Sequence, residues 1–260
     1  MNLPPEFLAA PIAHRALHDA ASGIPENSRA AVQRAVRAGF GIEIDVQLSA
    51  DGRAIVFHDE TLDRLTHSTG EVRARTVREL SDLVLRRSEE HIPTLQDILA
   101  LVAGQVPLLI EIKDQSGGLC EADDALERAV SADLSGYTGP VAVMSFNPYV
   151  VDAMRRIAPQ VARGLVTCGF IPSKWPRLTP ETCASLRSIA SFGRVGARFI
   201  SHDWTDLGSP RVAELKAQGI PILCWTVTSP QIEAEARRVA DNITFEGYMA
   251  RIDRGADGRD

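Results

Sequence analysis

The sequence predicts a single (β/α)8 TIM barrel, a closed sheet of eight parallel strands surrounded by helices, on three observations. Eight short apolar runs end in polar residues, and each of the first seven is followed by a predicted helix. The chain has 260 residues, a length that one such barrel routinely occupies. No glycine-rich dinucleotide or phosphate-binding fingerprint follows any strand, which disfavours an open, doubly wound sheet.

The first strand and the first helix come from the N-terminal 40 residues. A short strand is predicted over residues 11–16. A helix follows over residues 29–38, where Asn27 or Ser28 can cap its N terminus and Gly39 ends it. The strand–helix alternation of the chain therefore begins here.

In the second strand, which begins at Gly41, apolar and polar side chains alternate. Glu43 and Asp45 are two residues apart and therefore lie on one face, opposite to the apolar side chains between them. The flanking sequence predicts a buried strand, in which two neighbouring carboxylates would repel each other and lose hydration. A bound cation would remove this conflict.

Residues 48–92 are predicted to form a small insertion within one domain that spans residues 1–260. The insertion contains a short strand over residues 54–57, which delivers His58 and Asp59 at its end. We expect it to lie on the surface of the domain and not to form a domain of its own, because it is too small to bury a core.

Beyond the insertion, strands and helices alternate regularly. The predicted strands cover residues 107–113, 141–146, 162–167, 198–203, 221–227 and 242–246. The predicted helices cover residues 77–84 inside the insertion and then 95–103, 121–132, 148–157, 180–190, 210–218 and 230–240. We expect the helix after the last strand to be short or missing.

The composition limits the classes of function. A formal net charge of −6 argues against wholesale binding of nucleic acid or an anionic membrane, although a local basic pocket is compatible with it. The four cysteines lack metal-type spacing, so we expect reduced thiols. We find no signal-peptide pattern and no run of about 18 apolar residues, and we expect a cytoplasmic protein without a membrane span.

Ionisable side chains gather at the predicted C-terminal ends of the strands, where parallel barrels carry their functional residues. Glu43, Asp45 and Glu111 form an all-oxygen set, which suits Mg²⁺ or Ca²⁺ and not Zn²⁺. Other strand ends carry Trp225 and Glu246. The sequence thus predicts a divalent metal at this end of the barrel.

Two cations and two histidines accompany this acidic set. Arg15 and Lys113 are placed for the recognition of an anion, and His14 and His58 can exchange protons near neutral pH. A metal, two cations and two imidazoles together describe a site that cleaves a phosphate ester.

Some of these residues have simpler interpretations. Lys113 could be only the salt-bridge partner of Glu111, and Trp225 or Phe146 could be ordinary core instead of lining a pocket. His202 also ends a strand, where we expect it to serve packing or to lie at the rim.

Several short motifs follow one another along the chain in a characteristic order and spacing. They are His14-Arg15, Pro25-Glu26-Asn27-Ser28, Glu43-Ile44-Asp45-Val46, Asp51-Gly52, His58-Asp59 with Leu62, Arg64 and Thr66, Ile92-Pro93-Thr94-Leu95, Glu111-Ile112-Lys113 and Ser145-Phe146. Together they make the chain resemble the glycerophosphodiester phosphodiesterase family over almost its whole length. The resemblance implies the eight-fold barrel with a small insertion after the second strand.

The resemblance also implies an activity, the metal-dependent hydrolysis of glycerophosphodiesters to sn-glycerol 3-phosphate and an alcohol. One divalent cation, Mg²⁺ or Ca²⁺, would be required. The implied roles are metal binding by Glu43, Asp45 and Glu111, acid–base catalysis by His14 and His58, and phosphate contacts from Arg15 and Lys113. In a site that is open beyond the leaving oxygen, we expect Phe146 and Trp225 to contact the glycerol carbons or the leaving group. The sequence leaves open which histidine is the acid, whether a cyclic phosphate forms, and the oligomeric state.

Two alternatives remain at this stage: a lysophospholipase D-like phosphodiesterase of the same fold and a phosphate-binding barrel without catalysis. The sequence departs from the family at two places. Ala16 stands where the family usually has glycine, so a different backbone course is expected there. Thr244–Tyr248 replaces a Thr-Asp motif that ends in proline, which affects the expected pocket shape and alcohol preference.

Overall fold

The computed structural model describes residues 1–252 and contains nine strands in this range. They are β1 (Ile12–Ala13), β2 (Gly41–Leu48), β3 (Ala54–Val56), β4 (Leu108–Ile112), β5 (Val141–Ser145), β6 (Ala162–Thr167), β7 (Ile200–Asp203), β8 (Ile222–Val227) and β9 (Asn242–Phe245). All except β3 pair in parallel, and β1 pairs with both β2 and β9, which closes the sheet. The predicted eight-stranded parallel barrel is confirmed. Residues 253–260, the end of the predicted domain, lie outside the described residues.

The helices follow the predicted order, with shorter bounds in several cases. They are α1 (Arg29–Ala38), α2 (Val77–Ser81), α3 (Leu95–Val102), α4 (Ala125–Asp133), α5 (Pro148–Ile157), α6 (Pro180–Arg187), α7 (Pro210–Ala217) and α8 (Pro230–Ala236). Of the two candidate caps of α1, Ser28 does the capping, because its hydroxyl oxygen accepts a hydrogen bond from the Ala31 amide. Asn27 is thereby available for another contact.

Two apolar layers hold the barrel. The outward side chains of the strands, among them Ile44 and Ile110, pack against the helices in one continuous core. A second, smaller cluster, which includes Leu109 and Met144, fills the barrel interior. Because side chains alternate along a strand, the acidic residues of β2 and β4 face inward, as the sequence predicts.

The interior is tightly filled below the strand ends. The ring of Phe199 lies so close to Gly164 that an added Cβ would meet it at 2.5 Å, so only glycine fits there. At the N-terminal end of the barrel, Phe7 is fully buried, and Asn242 Nδ2 donates hydrogen bonds to the carbonyls of Phe7 and Ala10. The barrel is therefore a packed core, and space for a ligand is found at the other end.

The segment over residues 48–92 stands beside the carboxyl end of β2. Its strand β3 pairs antiparallel with the last residues of β2 and so continues the sheet beyond the barrel. Seven buried apolar side chains form a cluster separate from the barrel core, namely Ile55, Phe57, Leu62, Val72, Leu80, Leu85 and Ile92. The segment therefore buries a small core of its own, so the expectation that it is too small to bury one is wrong; its status as an insertion within a single domain stays a prediction.

Two other expectations concern the chain as a whole. All four cysteines are unpaired in the structure, and three of them are buried. Among residues 1–252, no helix is both long and apolar enough to cross a bilayer.

One buried carboxyl outside the barrel makes the stability of the fold depend on pH. Glu127, in α4, is only 4% exposed, and burial, with smaller contributions from Asp124 and Asp123, raises its pKa from 4.5 to about 7. The folded protein therefore retains this proton up to about pH 7, whereas the unfolded chain releases it near pH 4.5. The free energy of unfolding consequently falls as the pH rises through this range.

We expect Glu127→Gln to remove the fall in the free energy of unfolding between about pH 4.5 and pH 7. At pH 8 the variant should be more stable than the wild type by roughly 1–3 kcal/mol, since one pKa unit corresponds to about 1.4 kcal/mol. At pH 4.5 the two should be nearly equal. Urea unfolding at both pH values measures the difference, with the exposed Glu121→Gln as control. An equal gain at both pH values would contradict the titration of Glu127.

Candidate active site

The carboxyl ends of the barrel strands surround a cavity of about 110 Å³. All nine side chains that the sequence selected line this cavity: His14, Arg15, Glu43, Asp45, His58, Glu111, Lys113, Phe146 and Trp225. Eight of them come from strands or the residues that directly follow a strand, and His58 arrives from the segment after β3. The structure thus brings the predicted residues together in one place.

Three carboxylates form the floor of the site. Glu43 and Asp45 are 1% exposed and Glu111 is 8% exposed, and each offers an oxygen atom within 4.8 Å of the others. Burial, reinforced by the charges of Asp45 and Glu111, raises the pKa of Glu43 well above its usual value. A cation placed among the three would oppose this shift, because it favours the charged form of each carboxylate.

The hydrogen bonds of Glu43 show that this donor set fits a metal ion. Its Oε2 accepts a hydrogen bond from the backbone amide of Arg15 at 2.7 Å. Its Oε1 is buried and has no hydrogen-bond partner within residues 1–252. A buried carboxylate oxygen without a partner is costly, and hard divalent cations prefer such oxygen ligands.

Lys113 compensates the other two carboxylates. Its Nζ lies 2.7 Å from Asp45 Oδ1 and 2.7 Å from Glu111 Oε1. Although burial alone would raise the pKa of Asp45, the charges of Lys113, His58 and Arg15 lower it below its usual value. The predicted pairing of Lys113 with Glu111 is present, and the ammonium group also lines the cavity.

Asn27 holds the acidic strand from the side. Its Nδ2 donates to Asp45 Oδ2 at 2.9 Å, and its Oδ1 accepts from the Asp45 amide at 3.2 Å. The side chain is 1% exposed, and its backbone adopts a φ of +57°, a conformation that asparagine tolerates better than most residues. Both the side chain and the backbone amide of Asp45 are thereby fixed.

A chain of alternating charges connects the anion-binding side of the cavity to one histidine. Arg15 donates to Glu26, and Arg64 donates to both Glu26 and Asp59, with N–O distances of 2.7–2.8 Å. Asp59 in turn accepts from His58 Nδ1 at 2.7 Å. Burial raises the pKa of Asp59, but the hydrogen bonds from His58 and Arg64 hold it below its usual value. Each member of this chain is thus oriented by its neighbours.

The other histidine has a different partner. His14 Nδ1 lies 2.6 Å from Glu246 Oε2, at the end of β9. A carboxylate can only accept a hydrogen bond, so Nδ1 carries the hydrogen in this pair. Both catalytic candidates therefore use Nδ1 for a carboxylate, which leaves Nε2 of each ring as the atom that can meet a substrate.

The backbone after β1 is unusual. Arg15 has a φ of +50° and Ala16 a φ of +64°, the left-handed region that favours glycine. Ala16, where the family usually has glycine, therefore adopts a conformation that costs an alanine on the order of 1 kcal/mol. The turn aims the Arg15 amide at Glu43 and its guanidinium at Glu26.

A second, larger cavity of about 610 Å³ adjoins the first, and the two share His58, Glu111, Lys113 and Phe146. Phe146 and Trp175 form an aromatic wall of the larger cavity, with ring centroids 5.4 Å apart. Phe146 also lies 5.5 Å, between ring centroids, from Trp225, which lines the smaller cavity. The sequence analysis missed Trp175, because it lies in a loop after β6 without a regular pattern. Phe146 and Trp225 also pack against buried apolar side chains.

His202 stands apart from both cavities. It is 1% exposed, and its ring lies 2.7 Å from Thr167 Oγ1 and 3.1 Å from Asp206 Oδ2. Burial lowers its pKa, although Asp206 opposes this. These contacts agree with the packing role that the sequence suggests.

The comparisons with a family model and with curated proteins point to the same family. The sequence model of the glycerophosphoryl diester phosphodiesterase family matches residues 14–247. A glycerophosphodiester phosphodiesterase of Caldanaerobacter subterraneus is 35% identical over 170 residues, which cover 62% of this chain and 68% of the relative. A putative glycerophosphodiester phosphodiesterase of Bacillus subtilis is 28% identical over 228 residues, which cover 84% and 87% of the two chains.

The fold also matches solved structures. A phosphodiesterase of Oleispira antarctica, solved in complex with the product sn-glycerol-3-phosphate, aligns with a TM-score of 0.75 over 92% of this chain and 93% of that chain. The two sequences are 23% identical, so this likeness supports the fold alone.

The three carboxylates lead to a test of metal binding. We expect the protein stripped with a chelator to bind one equivalent of Mg²⁺, Mn²⁺ or Ca²⁺ in a calorimetric titration. Glu43→Gln removes a charged oxygen ligand and should weaken binding by more than about 100-fold, beyond the effect of residues that only orient ligands. The control Glu60→Gln changes an exposed carboxylate of the larger cavity and should bind normally. Unchanged affinity in Glu43→Gln would exclude this site.

Proposed function

The chain belongs to the glycerophosphoryl diester phosphodiesterase family, and from this premise we propose that it hydrolyses glycerophosphodiesters to sn-glycerol 3-phosphate and an alcohol. The observation that carries the proposal is the single cavity of about 110 Å³ into which two histidines, two cations and three carboxylates converge. A phosphodiester needs positive charge around its oxygens and a proton for its leaving alkoxide, and this set supplies both.

Arg15 and Lys113 bind the phosphate. Both cations line the cavity and are held by carboxylates, Arg15 by Glu26 and Lys113 by Glu111, so their positions are fixed before a substrate arrives. Burial opposes their charged forms, but the neighbouring carboxylates raise the pKa of each above its usual value. They are therefore cationic at neutral pH.

His14 and His58 move the protons. One imidazole removes a proton from water or from the neighbouring glycerol hydroxyl, and the other protonates the departing alkoxide. Attack by the glycerol hydroxyl would be intramolecular and would give a cyclic phosphate. The Nδ1 contacts to Glu246 and Asp59 support these roles, because they leave Nε2 of each ring available to a substrate.

Glu43, Asp45 and Glu111 would hold one divalent cation, Mg²⁺ or Ca²⁺. When bound, this ion supplies positive charge that stabilises the charge developing on the phosphoryl oxygens. The strands that carry the three residues place them next to both phosphate-binding cations.

The larger cavity supports a second candidate activity, the lysophospholipase D-like cleavage of a substrate that carries an acyl chain. Its wall includes Leu119, Phe146, Trp175 and Leu178, which could cover an apolar chain. A binder without catalysis gains no support, because the family is one of phosphodiesterases and the two histidine–carboxylate pairs are intact.

Substitution of the two histidines should affect kcat and KM differently from substitution of an anion-binding residue. His14→Ala and His58→Ala should lower kcat by about 10²–10⁴-fold, the contribution typical of one general acid or base, with little change in KM. Arg15→Ala should also raise KM, because its cation holds the phosphate before the reaction.

A substrate with p-nitrophenol as leaving group needs no proton at that oxygen. The histidine that acts as the acid should then become nearly dispensable, and the other should not. Wild-type rates in either variant would remove that histidine from the mechanism.

The volume of the larger cavity, about 610 Å³, predicts broad alcohol specificity. Glycerophosphodiesters of choline, ethanolamine, glycerol and inositol should be hydrolysed with kcat/KM values within about tenfold of each other, since small differences in a partly apolar pocket are worth little discrimination. A lysophospholipid should be slower. If the lysophospholipid is instead the best substrate, and if Trp175→Ala lowers kcat/KM for this substrate and not for the others, the second candidate activity is correct. Hydrolysis of a single headgroup would contradict an open cavity.

A further inference from the structure

Glu246 lies at the seam where the first and last strands close the barrel. The His14 amide donates to the Phe245 carbonyl at 2.9 Å, and the Glu246 amide donates to the Val227 carbonyl at 3.0 Å. These backbone bonds place the Glu246 side chain beside the ring of His14. The contact of 2.6 Å between Glu246 Oε2 and His14 Nδ1 therefore follows from barrel closure and joins residues 232 positions apart.

The charges around Glu246 differ from those around the partner of the other histidine. Asp59, which binds His58, also accepts two hydrogen bonds from Arg64. Within residues 1–252, Glu246 makes salt bridges with histidines alone: His14 at 2.6 Å and His18 at 3.5 Å. The hydrogen bond from His14, together with the nearby His18 ring, holds the pKa of Glu246 below its usual value, although burial opposes this effect. The carboxylate is therefore ionised at neutral pH, and no guanidinium neutralises it.

We propose, on the basis of the function proposed above, that Glu246 is the positioning residue of His14. It accepts the Nδ1 hydrogen, which selects the tautomer with a free Nε2, and it holds the ring toward the cavity. Its negative charge also stabilises the imidazolium form whenever His14 carries the proton of the reaction. Glu246 does not line the small cavity, so it would act through His14 and not on the substrate directly.

A purely structural role is the competing explanation, in which Glu246 only ties β9 to β1. The two explanations differ in what they predict for kinetics. A positioning residue acts through His14, so its removal lowers kcat and leaves KM nearly unchanged. A structural tie would lower stability or change substrate affinity, and its loss would add to the loss of His14.

The test compares Glu246→Ala, His14→Ala and the double variant as full-length, metal-loaded proteins. We expect Glu246→Ala to lower kcat by at least about 10-fold. The loss should not exceed that of His14→Ala, for which we expect about 10²–10⁴-fold. In the His14→Ala background, Glu246→Ala should cause no further loss. Glu246→Gln should be about as damaging as Glu246→Ala, because an amide can donate to Nδ1 and select the wrong tautomer.

Asp206→Asn is the matched control, since Asp206 also binds a histidine, His202, outside both cavities. It should keep wild-type kcat and KM. Fully additive losses in the double variant, or a raised KM with unchanged kcat, would overturn the positioning role.

A second measurement does not depend on turnover. In nitrogen-15 spectra of the wild type, the neutral His14 ring should carry its hydrogen on Nδ1, and Glu246→Ala should shift the population toward the Nε2–H tautomer. The same tautomer mixture in both proteins would exclude Glu246 as the group that sets it. An inactive wild type that still shows the tautomer shift would contradict the proposed function and leave the role of Glu246 in holding His14 supported.

Discussion

The burial of three carboxylates in one small cavity is the constraint on which the rest of the site depends. Glu43, Asp45 and Glu111 cannot all be ionised there without compensation, because their charges repel and water is excluded. The protein compensates two of them with the ammonium group of Lys113. It leaves one oxygen of Glu43 without a protein partner, and this remainder of negative charge makes a divalent cation the natural occupant.

The same constraint explains why the site continues outward as a chain of ion pairs. Arg15 balances the acidic set from one side and must itself be held by Glu26, which in turn requires Arg64. Arg64 then meets Asp59, and Asp59 orients His58. Charges of opposite sign alternate along this chain, and Glu26, Arg64 and Asp59 are each fixed by hydrogen bonds on both sides. Such preorganisation matters because groups that need no rearrangement stabilise a transition state most effectively.

The two histidines reach the cavity by different routes. His14 follows a barrel strand, and its partner Glu246 follows the neighbouring strand, so their contact is built into the closure of the sheet. His58 comes from the segment with its own apolar cluster, and its partner Asp59 is the next residue. The segment over residues 48–92 thus contributes one half of the proposed acid–base pair, and its strand β3 pairs with β2, the strand that carries Glu43 and Asp45.

The sequence by itself determined the barrel, the order of its strands and helices, and nine of the residues that line the small cavity, whereas Met144, Val166, Thr226 and Thr244 were not selected. This was possible because strand periodicity and the rule for parallel strand ends depend only on local pattern. The roles of Asn27, Glu26 and Arg64 as supports, the place of Trp175 in the larger cavity, and the contact between Glu246 and His14 were decided by tertiary structure alone. These contacts join residues from different strands and loops, and Glu246 meets His14 across 232 positions because the last strand pairs with the first. No local pattern records which side chains such a closure brings within hydrogen-bond distance.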